Sequence, residues 1–160
     1  MLTAYTTYAD IRAALGVEDE ELSDSTLALQ LYEDALDADL DDISATLRDT
    51  YVTVSAVETP STAQKRFLSC TRSFAVYAVA RTLLTSAPLF AQQSVEDGEA
   101  KQGRFVNPFR EVAKRVEGEY ALWQGRLEAA LTALGQAASA PISRTYASAV
   151  APASNPVTGS

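Results

Sequence analysis

Histidine is missing from this 160-residue chain, and with it the commonest general base, the usual partner of a catalytic serine or cysteine, and the commonest metal ligand. Most hydrolase mechanisms lose their central group. Cysteine occurs once, at Cys70, so no intramolecular disulfide can form and a reducing cytoplasm suits the chain. That thiol falls in an apolar helical stretch with nothing to activate it and reads as an inert core residue. Long apolar runs are lacking as well. The most apolar stretch, Phe67 to Ala91, is interrupted by Arg72 and Arg81, whereas a membrane-spanning helix needs about 20 nearly uncharged residues. Met1 to Asp10 has neither a basic nor an apolar region of the secretory kind, so no signal segment is expected.

Two patterns that suggest ligands fail on inspection. Asp34, Asp37, Asp39, Asp41 and Asp42 form an acidic run, but a calcium loop begun at Asp37 would have Asp42 at its glycine position and Arg48 at its bidentate glutamate position. Gly98 and Gly103 have phosphate-loop spacing, yet Arg104 and Phe105 stand where lysine and a hydroxyl residue would hold phosphate and magnesium. Neither a metal nor another cofactor is expected, and the reading is of a soluble protein without catalytic activity.

What the chain does have is charge, unevenly placed. Residues 1–58 carry 14 acidic and 2 basic side chains and residues 59–160 carry 7 and 11, so a formal −12 stands against +4. Surfaces of opposite sign suit matched packing of identical subunits or attraction to a charged partner. An acidic half also disfavours tight DNA binding, which relies on cations replacing counterions at phosphates. Asp34, Asp37 and Asp41 share one helical face, expected to be solvated or to form a subunit interface or channel wall. Lys101, Arg104 and Arg110, followed by Lys114 and Arg115, form a basic cluster that suits an acidic partner surface or phosphate.

Apolar periodicity predicts an all-α fold, a small bundle of about four helices in one domain over residues 1–134. The first helix runs from Tyr8 to Leu15, with Thr7 as cap and Gly16 as the terminating residue. Ser23 caps a second, long helix through Leu27, Leu31, Leu36, Leu40, Ile43 and Leu47 to about Arg48. Tyr51 to Val57 alternates and is rich in β-branched residues, which predicts an extended connector, with strand pairing between subunits as a lesser option. Thr59-Pro60 predicts the start of a central buried helix that reaches about Ser86. Gln92 to Arg104 reads as a loop. After Asn107-Pro108, the series Phe109, Val112, Val116, Tyr120, Trp123, Leu127, Leu131 and Leu134 has intervals of three and four, close to the helical period. Gly118 and Gly125 lie inside that series and are either tolerated or there to admit a neighbouring helix.

From Gly135 to Ser160 the composition shifts to Ala, Ser, Pro and Thr, which predicts a flexible, low-complexity C-terminal tail, disordered unless a partner orders it. Ile142, Arg144, Tyr146 and Val150 are its candidate partner contacts.

The segment Tyr8-Ala-Asp-Ile-Arg-Ala-Ala-Leu-Gly-Val17, the following Asp19-Glu-Glu-Leu-Ser-Asp24, the acidic leucine-striped helix, the central aromatic and alanine helix and the loop containing Val95-Glu-Asp-Gly98 together resemble the head-tail connector (adaptor) proteins of tailed bacteriophages, over about residues 5–134. The resemblance implies a helical-bundle subunit of a homo-oligomeric ring, typically of twelve copies, located in the virion neck after assembly in the bacterial cytoplasm. Its implied partners are the portal protein above and the next neck or tail protein below, with DNA passing through the channel without sequence-specific binding. The tail would be the segment that reaches the portal. A small helical regulatory or protein-binding module is the alternative the residues leave open.

Overall fold

The computed structural model describes residues 2–86 and 108–135. They fold as an all-α bundle. A short 3-10 turn, Leu2–Ala4, precedes helices α1 (Tyr8–Leu15), α2 (Asp24–Leu27), α3 (Gln30–Ile43), α4 (Leu47–Ser55), α5 (Thr62–Ser86) and α6 (Pro108–Ala133), and no strand occurs among the described residues.

Local chemistry sets the boundaries of α1 as its sequence predicts. The Thr7 hydroxyl accepts from the Asp10 amide at 3.2 Å and donates to the Asp10 carboxylate at 2.7 Å, so one side chain satisfies an orphan N–H and holds the acid at the positive end of the helix. Gly16 ends the helix in the left-handed region at φ 75°, its N–H donating to the Arg12 carbonyl. Ile11 and Leu15 face the core.

The long second helix predicted from Ser23 to Arg48 is three helices. Ser23 does cap, accepting from the Thr26 amide at 3.3 Å, but Leu29 and Ser44 are both extended and break the ladder twice. At the second break the Ser44 hydroxyl accepts from the Thr46 amide, the local side-chain bonding that competes with helix continuation. The first break shifts the phase of the apolar stripe: Tyr32, Leu36, Leu40 and Ile43 are buried, while Leu31, predicted to belong to it, is 55% exposed.

Residues 51–55 are helical, which corrects the extended connector predicted there. Leu47, Tyr51 and Val54 recur at four and three residues and are buried, and Val52 and Thr53 point outwards. Packing overrides the β-propensity of the segment. The Thr50 and Thr53 hydroxyls donate to carbonyls one turn back, each at 2.8 Å.

Helix α5 is the central element, packed by α1, α3, α4 and α6. It starts two residues later than Thr59-Pro60 predicts, because Ser61 and Gln64 form a reciprocal cap: the Gln64 amide donates to Ser61 Oγ at 3.3 Å, and the Ser61 amide to Gln64 Oε1 at 2.8 Å. Phe67, Cys70, Phe74, Val79 and Leu83 are buried along it. Against α5 lies α6, with Val116, Leu127 and Leu131 buried. The two run antiparallel. Arg81 late in α5 meets Glu117 early in α6, and Ser73, earlier in α5, shares a cleft with Trp123, later in α6. Gly118 and Gly125 face open space, so close helix approach within the chain is not their reason.

Candidate functional site

Three polar groupings lie between or beside the helices. In the first, Arg48 at the start of α4 reaches back to α3. Its Nε and one terminal nitrogen donate to the two oxygens of Asp41 at 3.1 and 2.8 Å, and the other terminal nitrogen to Asp37 at 3.2 Å. Asp41, then Asp37, holds the guanidinium above its ordinary proton affinity. Tyr5 lies nearby, its hydroxyl pushed up by burial and then by Asp37. Asp34, the third member of the predicted acidic face, is exposed and accepts from Gln30 at 2.9 Å. The face is therefore in large part a clasp between α3 and α4. Arg12 acts similarly, donating to the Leu22 carbonyl at 2.7 Å and pairing with Asp24.

The second grouping ties α3 to the long hairpin. Asp39 faces the Tyr120 hydroxyl, and Arg81 stacks on the Tyr120 ring, 4.4 Å from its centroid, while its Nε pairs with Glu117 at 3.2 Å. Burial pushes the Asp39 carboxyl up despite the opposing pull of Arg81. Burial, then the Asp39 charge, pushes Tyr120 up to about 12. Phe74 packs on the same ring at 5.2 Å.

The third is a cleft of about 770 Å³ where the N-terminal segment and α1 meet α5 and α6, within the size range of ligand sites. Tyr51 supports the segment from below: its hydroxyl donates to the Ala4 carbonyl at 3.1 Å and accepts from Arg72 Nε at 3.4 Å, and its ring packs on Tyr5 at 4.8 Å. Arg72, Asp10 and Glu119 bring charge to the walls, and Glu119 accepts from the Trp123 indole at 3.1 Å. Thr6 lines the cleft at 6% exposure, and its hydroxyl has no hydrogen-bond partner among the described residues. A hydroxyl left so costs on the order of 1–3 kcal/mol.

The predicted site residues are placed apart. Arg110 is exposed in the first turns of α6, with Glu111, Lys114 and Glu117 exposed on the same turns. Asp37 and Asp41 are engaged by Arg48 instead. Lys101, Arg104, Ile142, Arg144, Tyr146 and Val150 lie outside the described residues. Sequence reasoning missed the cleft altogether. It also missed Arg48, although one signal was available: the acidic first 58 residues hold only Arg12 and Arg48 as cations, and both bind carboxylates within the fold.

Among the described residues no three acidic or thiol side chains are grouped to hold a metal ion, and no helix is long and apolar enough to cross a membrane. The chain matches no protein-family model, no curated protein and no solved structure.

Proposed function

We propose that the chain is a structural, non-catalytic subunit of a tailed-bacteriophage neck, a head-to-tail adaptor whose copies close into a ring beneath the portal, extend the DNA channel and seat the next neck or tail protein. The observation that carries this reading is the separation of exposed charge. Arg12 and Arg48 are occupied inside the acidic half, while Glu18, Asp19, Glu20, Glu21, Asp49 and Glu58 are exposed there. Exposed Lys65 and Arg66 begin α5, and the first turns of α6 expose Arg110, Lys114 and Arg115 against Glu111 and Glu117, a smaller excess of positive charge. Patches of opposite sign on different parts of one subunit favour head-to-tail contacts between copies, the geometry that closes rings. An acidic channel wall would let DNA slide by repelling its phosphates.

The test is to mix the full-length chain with candidate portal rings and to measure bound mass by native mass spectrometry. A dozen copies per ring is the expected result, and absence of binding at low salt to any portal overturns the adaptor reading. The cleft favours a second reading, a small helical module that binds one protein partner as a monomer or dimer. A defined one-to-one complex in place of a ring would select it.

A further inference from the structure

The cleft beside the N-terminus takes no part in the ring contacts proposed above, yet its walls specify an occupant. Among its lining side chains Asp10 and Glu119 outnumber Arg72, and the two neighbouring cations are already engaged, Arg115 with the Ala14 carbonyl and Arg126 over the Trp123 ring. Ala4, Ala13 and Ala14 leave room for a backbone to approach closely, and Trp123 offers an aromatic surface. An extended segment of small residues with one cation and one aromatic anchor meets these demands.

The chain contains such a segment. Between Gln136 and Ser160 the only charged side chain is Arg144, set among Ala, Ser and Thr. In an extended backbone alternate residues share a face, so Ile142, Arg144, Tyr146 and Val150 all point one way. A helix would put Arg144 off the row of the other three. Reach agrees with composition. Gly135 leaves α6 at φ 77°, and Trp123 lies twelve residues earlier, about 18 Å back along a helix rising 1.5 Å per residue. Residues 136–141, extended at about 3.3 Å each, span about 20 Å. Ile142 is thus the first residue able to enter the cleft when the chain turns back along α6.

We propose that Ile142–Val150 docks in extended form in the cleft of its own chain, with Arg144 against Asp10 and Glu119 and Tyr146 beside Trp123. The C-terminal segment is then held until a partner claims it. This inference stands apart from the ring reading, because it concerns the isolated chain and its test contains no portal.

Trp123 is the only tryptophan in the chain, so its fluorescence reads the cleft directly. Acrylamide quenching is compared between the full-length chain and a full-length Arg144→Glu/Tyr146→Ala variant. Docking requires that the variant lose protection and shift its emission to the red, and that a synthetic peptide of residues 141–151, added to the variant, restore both. Identical quenching in the two chains overturns the proposal, and so does a peptide that restores nothing. The assignment to the same chain is tested by dilution: protection independent of protein concentration supports it, whereas protection that fades on dilution places the segment in another copy and overturns it.

Discussion

Arg48 grips Asp41 through two nitrogens, at 3.1 and 2.8 Å, across the break at Ser44 that separates α3 from α4. Paired hydrogen bonds of this kind fix direction as well as distance. The bond therefore sets the angle at which α4 leaves α3, and with it the position from which Tyr51 supports the N-terminal segment. Arg48→Met should lower the melting temperature at low ionic strength. Because the partners are partly exposed, salt screens the wild-type pair, and the gap between the two proteins should narrow as salt is added. A gap that is the same at low and high salt would mean that packing of the Arg48 stem, not the ion pair, is what is lost.

The burial pattern of α4 gives a sharper test of the fold. Leu47 is fully buried, and Val54 is buried while Val52, two residues before it, is 64% exposed, a pair that an alternating strand would put on one face and a helical register separates. Leu47→Ala should cost about 2–5 kcal/mol in urea denaturation, while Val52→Ala should stay within about 0.5 kcal/mol. An extended segment with alternate residues inside would instead penalise Val52 and Val54 together.

These residues also mark where the sequence could be read and where it could not. Helices α1 and α6 were legible because their ends carry strong local signals, Thr7 with Gly16 in one and Asn107-Pro108 in the other, and because their apolar intervals never slip phase. The breaks at Leu29 and Ser44 were not legible, since the apolar residues on either side still fall at helical intervals and a single stripe through them looks continuous. Asp37 and Asp41 were visible as one face, but their partner was not. In an unbroken helix Arg48 would stand seven residues, or about 10 Å, beyond Asp41, too far to grip it; only the turn at Ser44 folds it back. The cleft needed tertiary contact between segments more than a hundred residues apart, Thr6 and Trp123 among them, which no local pattern encodes.

The Asp39–Tyr120 pair predicts opposite behaviour at the two ends of the pH scale. Asp39 has a raised carboxyl pKa in the folded protein, so the folded state binds a proton more readily than the unfolded one and the charged form is a cost at neutral pH. Stability from this group therefore grows as pH falls through the raised value. Asp39→Asn, which keeps the size of the side chain without its charge, should be more stable than wild type near pH 7, and the difference should vanish in the ordinary carboxyl range and below. At the alkaline end Tyr120 is raised from 10.0 to about 12, so the unfolded chain loses its phenolic proton first and stability declines across that interval. Tyr120→Phe should flatten the alkaline decline. Denaturant melts at several pH values check both, and a Phe variant that declines like wild type would assign the alkaline loss to another group.

The glycines among the described residues divide by backbone, and the division has a measurable consequence. Gly16 sits at φ 75°, where a side chain is strained, so Gly16→Ala should destabilise by about 1–2 kcal/mol. Gly118 and Gly125 are interior to α6, exposed, outside the positive-φ region and with nothing near an added Cβ. Each Ala replacement there should stabilise the isolated chain by about 0.5–1 kcal/mol. At seven residues, or about 10 Å, apart, the two gains should add. Urea melts of the single and double variants test this. The same double variant then probes the assembly, because the two positions lie on one side of α6 with Leu122, which is also exposed. A chain that is more stable alone but binds fewer copies to a portal ring would place a neighbouring helix against that face, where a methyl group is too large. Unchanged ring occupancy would make the glycines tolerated surface residues and leave the charged patches as the contacts between copies.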